Sequence, residues 1–155
     1  MRRKDREITD IDEMLKILER SSCVRIAFSG EKCPYIVPMS FGLDCAGGVS
    51  TLFFHCAGEG KKLELIKNSP HVCFEADGGF EIIPGSSACS WSCRYESVIG
   101  EGDIHFALTN EEKRRGLDAI MRHYSGKSGW DYPDAMLDKT TVLRLDVTAM
   151  TGKKH

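Results

Sequence analysis

The sequence predicts a mainly β fold, an antiparallel barrel of about six strands with helices on its outside. Three observations support this prediction. Short segments alternate between apolar and polar residues, short turn-forming sequences join them, and few segments show helical periodicity. Strands that follow one another through short turns pair antiparallel. A chain of 155 residues fits one compact domain, which we expect to span residues 1–155.

Three helices are predicted from capping residues and apolar periodicity. The first begins at the N-cap Asp10, with Glu13 completing a capping box, and ends near Ser21. A short helix is expected at 62–67. The third follows a capping box at 109–112 and ends at Gly126. The apolar faces of the first and third helices are formed by Ile11, Met14, Leu15 and Leu18, and by Leu117, Ile120, Met121 and Tyr124.

The strands and their connections complete the predicted order. Strands are expected at 24–28, 35–41, 51–56, 71–77, 97–106 and 141–148. Turns are expected at 29–32 and 44–48. We interpret 78–94 as mostly loop, 127–139 as irregular and 151–155 as a polar tail.

Composition and charge exclude several classes of protein. Hydrophobic residues make up 41% of the chain, which supports a core. The net charge of −2 argues against a protein that grips nucleic acid through its phosphates. No apolar run approaches the roughly 18 residues of a membrane span. The N-terminal sequence MRRKDREITDIDEM lacks the apolar segment of a secretory signal, so we expect a cytoplasmic protein with no membrane partner.

Seven cysteines is a high count, but their spacing is irregular and their number is odd. This argues against a disulfide scaffold. No CxxC pair is present, so we expect no metal site. We interpret the cysteines as reduced side chains in a reducing compartment.

Pro38 lies in the middle of the second predicted strand. Proline cannot donate to a strand ladder, so the position indicates an edge, a bulge or a bound ligand. If this strand lay beside the third strand, its free backbone groups could meet a planar ring. Gly100 and Gly102, on one face of the fifth strand, likewise suggest close approach by a backbone or a flat ligand.

The sequence AGEGKK joins the third strand to the short helix and is the sharpest local feature. A flexible turn that enters a helix exposes backbone N–H groups, and Lys61 and Lys62 add two charges, so a phosphate could bind there. The alternative is a solvated helix start. His55 ends the preceding strand and could donate a proton, or could be a hydrogen-bonded structural residue. The adjacent Cys56 is the best candidate for a cysteine nucleophile.

A small aromatic and basic cluster follows the serine-rich loop. Trp91, Arg94 and Tyr95 could recognise a flat or anionic group, or could simply anchor the loop. Ser97 could donate a hydrogen bond into the same site.

Together these motifs resemble the pyridoxamine 5′-phosphate oxidase-like flavoproteins, in particular the branch related to 5-nitroimidazole-resistance proteins. The most specific segments are YIVPMSFG and FHCAGEGKKLELI, and the resemblance extends over about residues 1–155. It implies a split β-barrel that forms a homodimer and binds FMN at the dimer interface. The cofactor-binding positions that it implies are Val37, Pro38, Met39, Ser40, His55, Cys56, Lys61, Lys62 and Ser97.

The resemblance also implies roles for these positions. The strand at 37–40 runs along the isoalloxazine, residues 55–56 lie near the flavin, and the basic pair at 61–62 holds the phosphate. Ser97 faces the cofactor from the long strand. The strand IVPMSF and the C-terminal TGKKH differ from the basic strand and the substrate-phosphate motif of true pyridoxamine phosphate oxidases, so oxidation of vitamin B6 is not expected.

Two ligand-binding functions remain open at this point, beside a third alternative, an interaction module that binds no cofactor and whose AGEGKK turn is solvated. The first is an FMN-dependent oxidoreductase that passes electrons from a reduced nicotinamide to a small acceptor, such as a 5-nitroimidazole, with His55 as the catalytic residue. The second is a non-catalytic protein that stores or senses FMN or haem, with His55, His71 and His105 as candidate haem ligands. The sequence assigns no role to the cysteine-rich segment 86–94.

Overall fold

In the computed structural model, which describes residues 2–46 and 48–155, eight strands form one sheet. The strands are β1 (Glu7–Ile8), β2 (Val24–Phe28), β3 (Tyr35–Met39), β4 (Phe41–Ala46), β5 (Val49–Cys56), β6 (His71–Ile83), β7 (Ser92–Phe106) and β8 (Thr141–Lys154). The α-helices are α1 (Ile11–Arg20), α2 (Lys61–Asn68), α3 (Asn110–Ser125) and α4 (Asp134–Leu137). The predicted class, mainly β with peripheral helices, is confirmed, although the sheet has eight strands and not six.

All strand pairs are antiparallel, in the order β3-β2-β6-β7-β8-β5-β4, with β1 added to β8. The edge strands β3 and β4 stand at opposite ends of this order, yet only Ser40 separates them in the chain. The sheet must therefore curl until its two edges meet at Ser40. This corner positions much of the candidate site.

The core lies inside the curled sheet and is rich in phenylalanine. Its largest fully buried members include Phe28, Phe41, Phe54 and Phe74. A second, smaller cluster lies outside the sheet, where α3 covers β4 and β5. A Cβ atom at Gly42 would lie 2.2 Å from the carbonyl carbon of Ala119, so only glycine lets α3 pack this closely.

The predicted second strand is wrong in one respect. The segment 35–41 forms two strands that break at Ser40, and Pro38 pairs with Arg25 of β2 instead of lying beside β5. Proline is tolerated here because β3 is an edge strand. The predicted turn at 44–48 is also too long, because residues 44–46 continue β4; Gly47 lies outside the described residues.

The interpretation of 78–94 as mostly loop holds only for residues 84–91, because β6 extends to Ile83 and β7 begins at Ser92. Strands β6 and β7 form one long hairpin, and a register shift between Gly78 and Glu81 absorbs the glycine pair. The predicted polar tail is wrong as well. Its residues continue β8 to Lys154, because β7 pairs with one side of this segment and β1 with the other.

The helix predictions for α1 and α3 are confirmed, with altered caps. The Asp10 carboxylate accepts a hydrogen bond from the backbone N–H of Asp12, but Glu13 binds Lys154 and does not close the capping box. Thr109 caps α3, and Gly126 ends it with a left-handed φ of 69°. Within the segment expected to be irregular, α4 forms one short helical turn.

Gly100 and Gly102 are packed against the chain itself. An added Cβ would lie 2.4 Å from the ring of Phe74 at Gly100 and 2.1 Å from the carbonyl oxygen of Asp146 at Gly102. The close approach suggested by these glycines is therefore internal to the fold.

Candidate functional site

The start of α2 is an open, positively charged helix terminus. Its N-cap is Gly60, with φ of 131°, and no side chain caps the exposed N–H groups. A Cβ at Gly60 would meet no atom within 4 Å, so space is free in front of the helix. Lys61 and Lys62 form no ion pair with any described carboxylate. Such a terminus can bind an anion through its N–H groups and its dipole.

The two lysines connect this helix start to two strands. The Lys61 amino group lies 4.5 Å from the ring centroid of Tyr35, the first residue of β3. The charge of Lys62 acts on Cys56, the last residue of β5. Tyr35 was not singled out from the sequence, because its contact with Lys61 depends on the tertiary position of β3.

His55 and Cys56 end β5 with different environments. His55 is exposed, and its ring forms no hydrogen bond or ion pair within the described part of the chain. The alternative of a hydrogen-bonded structural histidine is therefore not seen within the described part of the chain. Cys56 is half-buried, and burial raises the pKa of its thiol despite the opposing charge of Lys62. A thiol held in its protonated form is a poor nucleophile.

Strand β3 runs from the lysines towards His55. It begins at Tyr35 beside Lys61 and leads to Ser40. Phe41, the next residue, pairs with Phe54, so Ser40 lies at the level of His55. The structure therefore brings the predicted residues of β3, of the end of β5 and of the start of α2 to one edge of the sheet.

The side chains of β3 alternate in direction. Val37 and Met39 pack towards the core, and Met39 is only 7% exposed. Pro38 points outwards and is exposed. A ligand along this strand would therefore contact the ring of Pro38 and the backbone of the edge, and not the side chain of Met39.

Ser97 lies elsewhere on the same chain. It pairs with Asp77 of β6 and Lys153 of β8. Strands β2 and β6 separate β3 from β7, a distance of about 14 Å at about 4.8 Å for each strand spacing. Arg25 forms ion pairs with Glu75 and Asp77 on the surface between them. One chain alone does not bring Ser97 to the other predicted site residues.

Several large apolar side chains are exposed on the long β6–β7 hairpin that carries Ser97. Phe80 is 70% exposed, Ile82 is 55% exposed and Ile99 is 51% exposed, all on the long β6–β7 hairpin. Of the predicted aromatic and basic cluster, Arg94 is taken up by an ion pair of 2.8 Å with Glu81. Trp91 is 56% exposed.

Three further features bear on ligands and location. No group of three or more histidine, cysteine, aspartate or glutamate residues in the described part of the chain could hold a metal ion. All seven cysteines are free. No helix in the described ranges is long and apolar enough to cross a membrane.

Comparison with known proteins shows the family of the chain. The family model of pyridoxamine 5′-phosphate oxidase matches residues 10–154, and the chain belongs to this family. A candidate 5-nitroimidazole antibiotic resistance protein from Bacteroides thetaiotaomicron is 32% identical, with a TM-score of 0.83 over 96% of this chain and 86% of that one. No curated protein matches in sequence.

Two more distant structures share the fold. A flavocytochrome from Azotobacter vinelandii has a TM-score of 0.78 at 14% identity, over 100% of this chain and 72% of that one. A FAD and haem binding protein from Mycobacterium smegmatis has a TM-score of 0.78 at 17% identity, over 96% of this chain and 72% of that one. At these identities the similarity concerns the fold alone.

Proposed function

We propose that the protein binds FMN and places the phosphate of the cofactor at the start of α2. The observation that carries this proposal is the uncapped helix terminus at Gly60, beside two lysines without acidic partners. The residues present fit the group, since the N–H groups of the first turn can donate to phosphate oxygens and both lysines can neutralise them. Membership of the family supports the same assignment.

The rest of the edge is arranged for a flat ring. Residues 37–40 offer the ring of Pro38 and the free backbone edge of β3. His55 is exposed at the end of β5, and its imidazole has no partner in the described part of the chain, so it can donate a proton to a small acceptor bound at this edge. When bound, the flavin would accept a hydride from a reduced nicotinamide and supply electrons to the acceptor. The chain itself holds the phosphate, orients the ring and provides the proton.

We propose a nitroaromatic compound as one acceptor. The similarity to a candidate 5-nitroimidazole resistance protein supports this choice, together with the free imidazole of His55. Oxidation of NADH and NADPH should be followed with a panel of acceptors, with free FMN as the blank. Turnover no faster than free FMN with every acceptor would refute the oxidoreductase role.

We propose that two copies form a homodimer. The apolar outer face of the hairpin needs a cover, and a second copy is the simplest means of bringing Ser97 to a flavin held at the β3 edge of the first. Light scattering coupled to size exclusion should give twice the mass of 17.3 kDa. A monomer at micromolar concentration that still binds FMN would contradict this arrangement.

A second candidate is a non-catalytic FMN or haem protein. The free ring of His55 favours it, because an exposed imidazole without a partner can ligate haem iron. His71 is less available, since its Nδ1 lies 2.9 Å from the carboxylate of Asp103. A Soret band after reconstitution with haem, lost in His55→Ala, would support this alternative.

The free thiols are consistent with a cytoplasmic location, which we also propose.

A further inference from the structure

Tyr124, in the last turn of α3, lies where the two edges of the sheet meet. Its place on the apolar face of the helix predicts a core residue, but its side chain is 47% exposed. Its hydroxyl oxygen accepts a hydrogen bond of 3.2 Å from the backbone N–H of Phe41 and donates one of 2.9 Å to the backbone carbonyl oxygen of Ser22. The phenol therefore joins two backbone segments that are far apart in the chain.

The register of β2 and β3 shows what these two hydrogen bonds replace. Val24 pairs with Met39, so two further residues of the same antiparallel ladder would set Ser22 opposite Phe41. The hydroxyl of Tyr124 binds the backbone groups of both residues instead. A hydroxyl has one donor and two acceptor lone pairs, so it can satisfy an N–H and a carbonyl group together. The ladder of β2 and β3 thus ends at the point where this side chain is inserted.

The end of this ladder sets the direction of the chain at the candidate site. After Ser40 the chain leaves β2 and pairs with β5, where Phe41 lies opposite Phe54. This change of partner is what brings Ser40 to the level of His55. If Phe41 stayed paired with β2, the corner at Ser40 would not form.

His123 holds the last turn of α3 against the same corner. Its Nε2 lies 2.9 Å from the backbone carbonyl oxygen of Ser21, and because a carbonyl oxygen can only accept, Nε2 must carry the proton. The centroid of its ring lies 4.3 Å from that of Phe41 and 4.6 Å from that of Tyr124. The hydroxyl of Tyr124 is therefore presented to the corner by a side chain that is packed in place.

We propose that Tyr124 is a positioning residue of the candidate site. Its hydroxyl prevents the ladder of β2 and β3 from extending past Met39, and it thereby holds Ser40 beside His55 at the edge that receives the flavin ring. The inference rests on the proposed function for the ligand, whereas the insertion into the ladder is a property of the chain alone. Since the phosphate is assigned to the start of α2, Tyr124 should affect binding of the ring and not of the phosphate.

The insertion is tested without ligand, by NMR of the backbone amides in the wild-type apoprotein and in Y124F. The variant keeps the ring and loses only the hydroxyl, so the N–H of Phe41 loses its acceptor. We expect the Phe41 amide resonance to shift and its exchange with solvent to become about threefold to tenfold faster, the equivalent of one neutral hydrogen bond. A Phe41 amide that is unchanged in both resonance and exchange rate would overturn the proposal.

The role in the site is tested by fluorescence titration of the same proteins with FMN and with riboflavin. In Y124F we expect both affinities to fall by the same factor, about threefold to tenfold. The ratio of the two affinities should therefore stay at its wild-type value, whereas K61A/K62A should lower it. A loss confined to FMN in Y124F would overturn the proposal, because it would place the effect at the phosphate.

The matched control is S21A. The buried Ser21 hydroxyl donates a hydrogen bond of 2.8 Å to the carbonyl oxygen of Ile17, so S21A loses one hydrogen bond near the end of α1 without removing a contact of Phe41. Thermal unfolding shows whether each variant folds. An equal loss of flavin affinity in S21A and Y124F would overturn the proposal, since general destabilisation would then explain both.

The outcomes separate this proposal from the proposed function. Wild-type flavin binding that is unaltered in Y124F would refute the positioning role and leave the proposed function standing. A wild-type chain that binds neither flavin would refute the proposed function, and a changed Phe41 amide in Y124F would still support the insertion of Tyr124 at the end of the ladder.

Discussion

Replacing Lys61 and Lys62 together by alanine is expected to weaken FMN binding by at least about tenfold. Hydrogen bonds to charged groups contribute roughly 1.5–3 kcal/mol each, so two contacts give about 3–6 kcal/mol before screening. Lys61 is exposed and Lys62 half-buried, so solvent reduces this contribution. If only half of the lower total remains, about 1.5 kcal/mol is lost, which corresponds to roughly tenfold in the dissociation constant.

The assay is a fluorescence titration of apoprotein with FMN and, separately, with riboflavin. Riboflavin lacks the phosphate, so its affinity should be nearly the same in the wild type and in K61A/K62A. Lys67→Ala is the matched control, because Lys67 is an exposed lysine in the last turn of the same helix. An unchanged FMN dissociation constant in the double variant, or an equal loss with riboflavin, would refute the placement of the phosphate.

Three further predictions concern stability and reactivity. Gly42→Ala should lower the free energy of unfolding by about 1–3 kcal/mol in thermal or urea denaturation, because its Cβ would meet the backbone of α3. Gly58→Ala, whose nearest non-neighbouring atom would be 3.8 Å away, should change it little. Cys56 should be alkylated more slowly near pH 8 than the exposed cysteines, as mass spectrometry of peptides would show, because burial raises the pKa of its thiol. Arg144 holds the pKa of Asp146 below its usual value through hydrogen bonds, so this contribution is complete above about pH 4 and is lost as the pH falls. Asp146→Asn should therefore reduce the acid dependence of unfolding, and an unchanged dependence would contradict the assignment.

The fold was predictable wherever local signals agreed with tertiary structure. Asp10 and Gly126 mark the ends of α1 and α3 by backbone chemistry that does not depend on the rest of the chain. The glycine pair at 78–79 led to the wrong prediction of a loop, because glycine is common both in loops and in the β-bulge that interrupts β6 at this point. The polar segment 151–154 could not be recognised as strand from its composition. It is held in the sheet by backbone pairing with β1 and β7, and not by burial of apolar side chains.

The candidate site was partly predictable for the same reason. His55 and the lysines of α2 follow one another in the chain, so a local motif indicated them together. Tyr35 carries no local signal, because its contact with Lys61 joins residues that are distant in the sequence. The separation of Ser97 from β3 depends on the strand order, which the sequence does not specify by itself. That one domain spans 1–155 remains a prediction.

The corner at Ser40 explains why the candidate site lies at a sheet edge. The chain passes there from β3 to β4, and each of these strands has one side that pairs with no other strand. Pro38 also lacks a backbone N–H group, so β3 has one donor fewer. An edge with free acceptors and an exposed proline ring can bind a flat ligand without disrupting any strand pair. The side chain of Phe41 is buried in the core and fixes the position of this corner.

The most direct test of the proposed function is the absorbance spectrum of the purified protein, with mass spectrometry of the ligand released on denaturation. Our account predicts flavin bands and a released mass equal to that of FMN. A colourless protein that also fails to bind added FMN would contradict the account, and the family membership would then indicate the fold without the cofactor.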